Sequence, residues 1–168
     1  MSIVVMKFGG TSVEDPAAIS RTAGIVEGRL ALGKRPVVVV SALARVTDQL
    51  LRAASCAAAG DRTGALAISS RLRSRHRDTA CALVKEPGEL LSFIDQKFDS
   101  LDEILRGLAA ILELTPRISD LVVSFGERIS SRIVASAFRE RGMDSAHVDA
   151  RDIIITDSNF QMIKSVFV

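Results

Sequence analysis

The sequence predicts an α/β fold built on parallel strands. Residues 3–8 and 36–41 form two short, mainly apolar runs without alternation and rich in β-branched side chains, which is typical of strands covered on both faces. Between them, Asp15-Pro16 is a helix-start signal, and apolar residues then recur at helical spacing until Gly33. This order predicts a right-handed βαβ unit, in which both strands end at the same edge of the sheet.

The rest of the chain is predicted to be mainly helical, with a late return to strands. Residues 47–117 have a helical pattern that Gly60 and the Pro87-Gly88 pair interrupt. The predicted helices cover residues 47–60, 63–84, 89–112 and about 124–142, and the predicted closing strands cover 146–149 and 153–155. No repeat, low-complexity tract or flexible linker divides the sequence, so a single unit is expected.

Composition argues against a macromolecular or membrane partner. The 168 residues include 22 Lys and Arg against 20 Asp and Glu, which gives a formal net charge of only +2. Trp and Tyr are absent, so the aromatic platforms that stack nucleobases are not expected. Lys7 interrupts the apolar start and no basic residue precedes it, so neither a signal peptide nor a membrane span is predicted. We therefore expect a cytoplasmic protein with a small-molecule partner.

The cysteine and histidine residues do not form a predicted metal site. Cys56 and Cys81 are far apart and are expected to be reduced, and His76 and His147 are isolated from each other. No spacing fits zinc or a Cys-His nucleophile pair. A metal ion, if one is used, is expected to arrive bound to another ligand.

An arginine-rich stretch lies in the second predicted helix. Arg71, Arg73, Arg75 and Arg77 follow one another at steps of two, which spreads them around a helix. A solvated helix face is therefore favoured over a binding patch.

The end of the first strand has the residue types of a phosphate site. Lys7 closes the strand, Gly9 and Gly10 leave backbone N–H groups free to approach an anion, and Thr11 and Ser12 add hydroxyl donors. The positive end of the following helix is expected to contribute as well. The alternative is a tight turn with an incidental lysine, because two glycines alone are a weak signal.

Ser41 and Thr47 are further candidates at the same edge, and Glu127 is a third candidate residue. Ser41 ends the second strand and Thr47 follows in the next loop, beside the glycine pair in a βαβ unit. As an alternative, Thr47 caps the next helix and Ser41 only ends a strand. Glu127 is a candidate ligand-binding carboxylate, but Ser124-x-x-Glu127 also fits a helix capping box.

Four stretches together resemble aspartate kinase, over about residues 2–157. They are, in chain order, "VMKFGGTSV", "VVVVSALARVTDQLL", "SFGERISSRIVASAFRERG" and "VDARDIIITD". The resemblance implies the amino acid kinase fold, a three-layer α/β/α sandwich with a mainly parallel sheet, of which this chain is the amino-terminal lobe with a helical insertion at about 48–117. The implied reaction transfers a phosphoryl group from MgATP to the β-carboxylate of L-aspartate. Its product, 4-phospho-L-aspartate, is the first intermediate toward lysine, methionine and threonine.

The same resemblance implies a role for each candidate residue. Lys7 is the catalytic residue that neutralises the transferring phosphoryl group, Thr47 hydrogen-bonds the aspartate, Glu127 pairs with its ammonium group, and Ser41 completes the polar edge. The implied phosphate and ATP contacts are Lys7, Phe8, Gly9, Gly10, Thr11 and Ser12. ATP and Mg²⁺ are the implied cofactors, with no metal ligand assigned in this sequence. The carboxylate is already a nucleophile, so positioning and charge neutralisation suffice without a general base.

The sequence also departs from the family pattern. Family members continue into a second lobe with the nucleotide pocket and then into ACT regulatory domains, whereas this sequence ends at Val168 with "NFQMIKSVFV" in place of a Phe-Gly-Arg-like continuation. We expect residues 1–168 to be a substrate-side lobe without the ATP lobe or ACT domains, to have no kinase activity alone, and to be capable of forming a homo-oligomer.

Two other functions stay open at this point. One is a non-catalytic module that binds amino acids or anions, or that pairs with a separate chain supplying the ATP lobe. The other is a related kinase that acts on glutamate, carbamate or a nucleoside monophosphate. Glu127 disfavours a nucleotide substrate, since its carboxylate would repel a phosphate.

Overall fold

The computed structural model describes residues 2–156 and 165–166. Its sequence of elements begins with strand, helix and strand and continues with four long helices. The elements are β1 (Ile3–Phe8), a 3-10 helix (Gly10–Val13), α1 (Pro16–Ala31), β2 (Arg35–Val40), α2 (Val46–Ala58), α3 (Arg62–Leu83), α4 (Gly88–Ile111), α5 (Pro116–Glu140), a second 3-10 helix (Ala150–Asp152), β3 (Ile155–Thr156) and β4 (Ser165–Val166). None of the helices in these described ranges is long and apolar enough to cross a membrane.

The predicted βαβ unit is confirmed. β1 and β2 pair in parallel, with Lys7 opposite Val39. Asp15 is the N-cap of α1, and its Oδ1 accepts a hydrogen bond from the Ala18 amide at 2.7 Å. Gly33 has a φ of +69°, the left-handed conformation that glycine adopts at low cost just past a helix end. Local signals therefore fix both ends of the crossover helix.

The prediction that both strands are covered on both faces is wrong for the part of the chain described. Ile3 and Val5 are each 69% exposed, and Val37 and Val39 share their uncovered face. The alternate residues of the two strands pack against the core below, as Met6 and Val38 do. An unbroken apolar run does not show which of its two faces a neighbouring layer covers. Of the three layers that the resemblance implies, the described residues therefore hold the sheet and the helices on one face of it.

The helices α2 to α5 form the main core. Phe98, Leu101 and Leu105 on α4 are at most 1% exposed, and they share one hydrophobic core cluster with Leu50 on α2 and Leu72 on α3. The observed bounds of α2, α3 and α4 lie within about two residues of the predicted ones. The last helix differs, because α5 begins at the Thr115-Pro116 signal and not near residue 124.

The strand predicted at residues 146–149 is wrong. This segment has no regular structure and leads into the second 3-10 helix, which β3 (Ile155–Thr156) follows. Ser145 Oγ donates to the Ala135 carbonyl at 2.9 Å, and Asp149 Oδ1 accepts from the Arg151 amide at 3.1 Å. Side chains bonded to the backbone in this way replace a strand ladder. The closing "NFQMIKSVFV" stretch lies largely outside the described residues.

The arginine-rich stretch of α3 is more than the solvated face that was predicted. Arg73 binds Asp99 and Asp102 of α4, with Nη2 at 2.8 and 3.0 Å from the two carboxylates. Arg77 forms an ion pair with Asp95 of the same helix. Arg73 and Arg77 thus form ion pairs that join α3 to α4. Arg75 makes different contacts, which belong to the candidate site described below.

Candidate active site

The candidate site lies where β1 and β2 end. The Ser41 amide donates to the Phe8 carbonyl at 3.1 Å, which continues the strand pairing into the loops. We call residues 9–15 the first loop and residues 41–45 the second loop. A β-carbon added to Gly10 would lie 3.2 Å from the Ala42 carbonyl oxygen and 3.5 Å from Ala44 Cα. The two loops are therefore in direct contact, as the βαβ geometry predicted.

The two glycines of the first loop differ in what requires them. Gly10 faces the second loop at a separation tighter than most side chains accept. Gly9 has a φ of −75°, which any residue adopts, and an added β-carbon would meet nothing within 4 Å. Packing thus explains Gly10, whereas neither packing nor backbone conformation requires glycine at position 9.

Lys7 at the end of β1 and the two hydroxyl residues of the first loop, Thr11 and Ser12, differ in exposure and in hydrogen bonding. Lys7 is exposed on the uncovered face of the sheet, and no carboxylate among the described residues pairs with it. Thr11 is exposed, and Ser12 is half-buried with its carbonyl accepting the Thr22 hydroxyl at 2.8 Å. This hydrogen bond ties the loop to α1.

The amino-terminal end of α1 does not lie directly after the glycines and is already capped, so it does not offer free amides to an anion there as the sequence suggested. A 3-10 helix begins at Gly10, and α1 begins only at Pro16. The carboxylate of Asp15 already accepts from the first turn of α1. An anion beside Gly9 would therefore meet backbone amides of the loop and not an uncapped α-helix.

Ser41 of the second loop and Thr47, which follows that loop in α2, are both half-buried. The Ser41 carbonyl accepts the Ser130 hydroxyl of α5 at 2.8 Å. Thr47 is the second residue of α2, whose N-cap is Arg45, so Thr47 is not the cap that the alternative required. The Thr47 hydroxyl has no hydrogen-bond partner in the described ranges, in the first loop or elsewhere.

Glu127 is not part of a capping box. It lies well inside α5, whose N-cap is Thr115, and the Ser124 hydroxyl donates to the Leu121 carbonyl at 2.7 Å. Instead, Glu127 Oε1 faces the Ala42 amide at 3.4 Å, a long hydrogen bond from the second loop. The side chain is half-buried and has no ion-pair partner within residues 2–156.

Gly126 allows α5 to come this close to the second loop. A β-carbon at this position would lie 2.8 Å from Ala42 Cβ, 3.3 Å from Val46 Cγ1 and 3.4 Å from Leu50 Cδ1. Observed β-carbons essentially never approach to 2.8 Å. The glycine in "SFGE" thus sets the distance at which Glu127 meets Ala42.

Sequence reasoning missed Arg75 as part of this site. Its Nη1 donates to the Ala44 carbonyl and its Nη2 to the Glu14 carbonyl, each at 2.8 Å. The signal was present in the helical spacing, because Arg75 lies on one stripe of α3 with the buried Leu72 and Thr79. The step of two between arginines concealed that stripe.

A second charged cluster surrounds Asp149, next to α5. Arg151 Nη2 lies 2.6 Å and Arg128 Nε 3.4 Å from Asp149 Oδ2. The hydrogen bond from Arg151 and the nearby cations hold the pKa of Asp149 well below its usual range. Burial, followed by the charge of Arg128, lowers the pKa of Lys97. This carboxylate is fully engaged, so it is not available to a metal, and no group of three His, Cys, Asp or Glu in the described ranges could hold one.

The model of the amino acid kinase family matches residues 2–166. This chain belongs to the amino acid kinase family. Aspartokinase 2 of Arabidopsis thaliana, a chloroplastic protein, is 33% identical over 159 residues, which cover 93% of this chain and 28% of the relative. Lysine-sensitive aspartokinase 3 of Escherichia coli is 31% identical over 166 residues, covering 94% of this chain and 33% of the relative. The resemblance to aspartate kinases found in the sequence is thus confirmed.

Solved structures of the family confirm the fold. Escherichia coli aspartokinase III in complex with aspartate and ADP superposes with a TM-score of 0.85 at 29% identity, over 98% of this chain and 35% of that one. Clostridium acetobutylicum aspartate kinase shares the fold with a TM-score of 0.69 at 18% identity. This amino acid kinase family chain spans about a third or less of the length of these relatives.

Proposed function

We propose that the site is the aspartate-binding side of an aspartate kinase, the enzyme class that phosphorylates the β-carboxylate of L-aspartate with ATP. The observation that carries the proposal is the half-buried Glu127 carboxylate at the second loop, without a cationic partner among the described residues. Similarity to aspartokinases over more than nine-tenths of this chain supports it. Lysine, methionine and threonine synthesis and a cytoplasmic location are parts of the same proposal.

In this proposal Glu127 binds the ammonium group of aspartate. A carboxylate that is partly removed from water is stabilised by a cation at hydrogen-bond distance. The Ala42 amide occupies only one of the two carboxylate oxygens, so the other can accept from the ammonium group. Thr47, whose hydroxyl has no partner in the described part of the chain, supplies a further hydrogen bond to the substrate, and Ser41 completes the polar edge beside it.

Lys7 and the first loop bind the phosphates. The ammonium of Lys7, which is exposed and has no carboxylate partner among the described residues, neutralises negative charge on the transferring phosphoryl group. Gly9, which the fold does not require, leaves bare backbone beside it, while Phe8, Gly10, Thr11 and Ser12 supply the remaining backbone and hydroxyl contacts. The aspartate carboxylate needs no general base, so the contribution of this chain is positioning and charge.

Mg²⁺ enters the proposal only through the nucleotide. In kinases the ion bridges the phosphates and neutralises their charge. The described ranges hold no group of three His, Cys, Asp or Glu that fits a metal ion. We therefore assign no Mg²⁺ ligand to the described residues and derive no step through the ion.

The test is ligand binding by the 168-residue chain, measured by calorimetry with L-aspartate, L-glutamate, UMP and ATP. We expect L-aspartate to bind and Glu127→Gln to weaken its binding by about thirtyfold or more, equivalent to about 2 kcal/mol or more for a desolvated charge pair. The glutamine side chain keeps an oxygen that can accept from the Ala42 amide, so the free energy of unfolding should change little. Glu103→Gln, an exposed carboxylate on α4, is the matched control and should bind like the wild type.

Two results would contradict the proposal. One is the absence of L-aspartate binding by the wild-type chain. The other is equal affinity in the wild type and Glu127→Gln, which would leave Glu127 with only its contact to the second loop. Preferential binding of L-glutamate or UMP would instead favour a different member of the family.

A further inference from the structure

Arg75 joins the two loops of the site from outside them. Its guanidinium donates from Nη1 to the Ala44 carbonyl of the second loop and from Nη2 to the Glu14 carbonyl of the first loop, each at 2.8 Å. We propose that Arg75 is a positioning residue that holds both loops in register for substrate binding. This inference rests on the proposed function, which assigns the substrate and phosphate contacts to these loops.

The two carbonyls depend on this side chain. Neither Glu14 nor Ala44 lies in a strand or a helix, and neither carbonyl accepts a backbone amide in the part of the chain described. A carbonyl that is partly shielded from water and lacks a donor is unfavourable. The planar guanidinium can satisfy two acceptors on separate segments at once, which a single ammonium does less well.

The positions of the two carbonyls explain why the contact affects the site. Ala44 lies beside Gly10 of the first loop and two residues beyond Ala42, whose amide faces Glu127. It also precedes Arg45, whose φ of +65° is the left-handed conformation that non-glycine residues rarely adopt. The hydrogen bond from Arg75 to the Ala44 carbonyl therefore stabilises a strained turn at the start of α2.

The contact on the first loop acts in the same way. Glu14 closes the 3-10 helix that begins at Gly10 and lies two residues beyond Ser12. The neighbouring Ser12 carbonyl is held by Thr22 of α1, so Arg75 adds a second anchor, from α3. Without it, no side chain from beyond α1 would hydrogen-bond the first loop within the described residues, and the distance of this loop from the second loop would vary more.

The test compares Arg75→Lys with Arg77→Lys. Both substitutions keep the charge on α3, but Arg77 pairs with Asp95 of α4 and makes no hydrogen bond to either loop in the described ranges. Hydrogen–deuterium exchange is followed without ligand at the Ser12, Ser41 and Val46 amides, which are hydrogen-bonded in the two loops or at their ends. In Arg75→Lys we expect these amides to exchange about tenfold faster or more, and L-aspartate affinity to fall by a similar factor. In Arg77→Lys both should match the wild type.

The outcomes separate this inference from the proposed function. Faster loop exchange in Arg75→Lys alone supports the positioning role even if L-aspartate does not bind, in which case only the proposed function fails. Unchanged loop exchange in Arg75→Lys overturns the positioning role, even if binding still depends on Glu127. If Arg75→Lys does not fold, amide exchange of the wild-type chain tests the inference instead. The amides of the two loops should then have the same free energy of opening, and clearly different opening free energies would overturn the inference.

Discussion

The close approach of α5 to the second loop makes a sharp prediction for Gly126→Ala. The new methyl carbon would lie 2.8 Å from Ala42 Cβ, and Val46 and Leu50 border the same space at 3.3 and 3.4 Å. Since Ala42 belongs to a loop held by Ser130 and Glu127 of the same helix, the clash cannot be relieved by a single side-chain rotation. Either α5 or the loop must move.

Two opposing effects set the magnitude. Alanine is favoured over glycine inside a helix by about 1 kcal/mol. Overpacking a fitted contact costs about 1–3 kcal/mol. We therefore expect Gly126→Ala to change the free energy of unfolding by between about zero and a loss of about 2 kcal/mol. Gly28→Ala and Gly107→Ala are matched controls, because both glycines are helical and a methyl group there meets nothing within 4 Å. These should gain about 0.5–1 kcal/mol.

The assay is urea denaturation followed by circular dichroism, because the chain has no Trp or Tyr to report by fluorescence. The expected difference between Gly126→Ala and the controls is about 1–3 kcal/mol. Combining Gly126→Ala with Ala42→Gly removes the opposing methyl group and should recover part of the loss, measured as a coupling energy in a double-mutant cycle. Stabilisation of Gly126→Ala equal to that of the controls would refute the close approach.

Two further predictions concern stability. Burial holds the pKa of His76 at about 4, below its ordinary 6.5, while its Nδ1 donates to the Leu72 carbonyl at 2.7 Å. As pH drops, the imidazole of His76 is therefore protonated in the unfolded chain before it is protonated in the folded one. The free energy of unfolding should fall by up to about 3 kcal/mol between pH 6.5 and pH 4. In His76→Leu this part of the pH dependence, measured by urea titration, should disappear; an unchanged slope would contradict the assignment. Asp15→Ala should cost about 1 kcal/mol by loss of the α1 cap, and Asp15→Asn only a few tenths. Equal stability of Asp15→Ala and the wild type in the same titration would show that the cap contributes nothing.

Local sequence signals predicted the parts of the fold that depend on neighbouring residues. The cap at Asp15 and the turn at Gly33 each act within a few residues, so both ends of α1 could be predicted. The start of α5 was missed because Ser124-x-x-Glu127 has the spacing of a capping box even in the middle of a helix. Which face of β1 is covered depends on residues distant in sequence, so an unbroken apolar run could not reveal it.

The candidate site likewise has residues that the sequence could predict and others that it could not. The loop positions of Gly10 and Ser41 followed from the βαβ topology, since parallel strands end at one edge. Arg75 could not be assigned from pattern alone, because its partners are the main-chain carbonyls of Glu14 and Ala44. Any residue type offers such a carbonyl, so the sequence at the acceptor positions gives no sign of the contact.

These contacts change the interpretation of the helical stretch that follows β2. An insertion that only added bulk would leave the loops to be held by the βαβ unit itself. Instead, the second loop is bound by Arg75 of α3 and by Ser130 and Glu127 of α5, and the first loop by Arg75 as well. Because α3 and α5 pack into one core with α2 and α4, their side chains are presented to the loops from a rigid support. Precise placement of two loops is what a phosphoryl-transfer site requires most, so the helices provide part of the positioning on which the proposed chemistry depends.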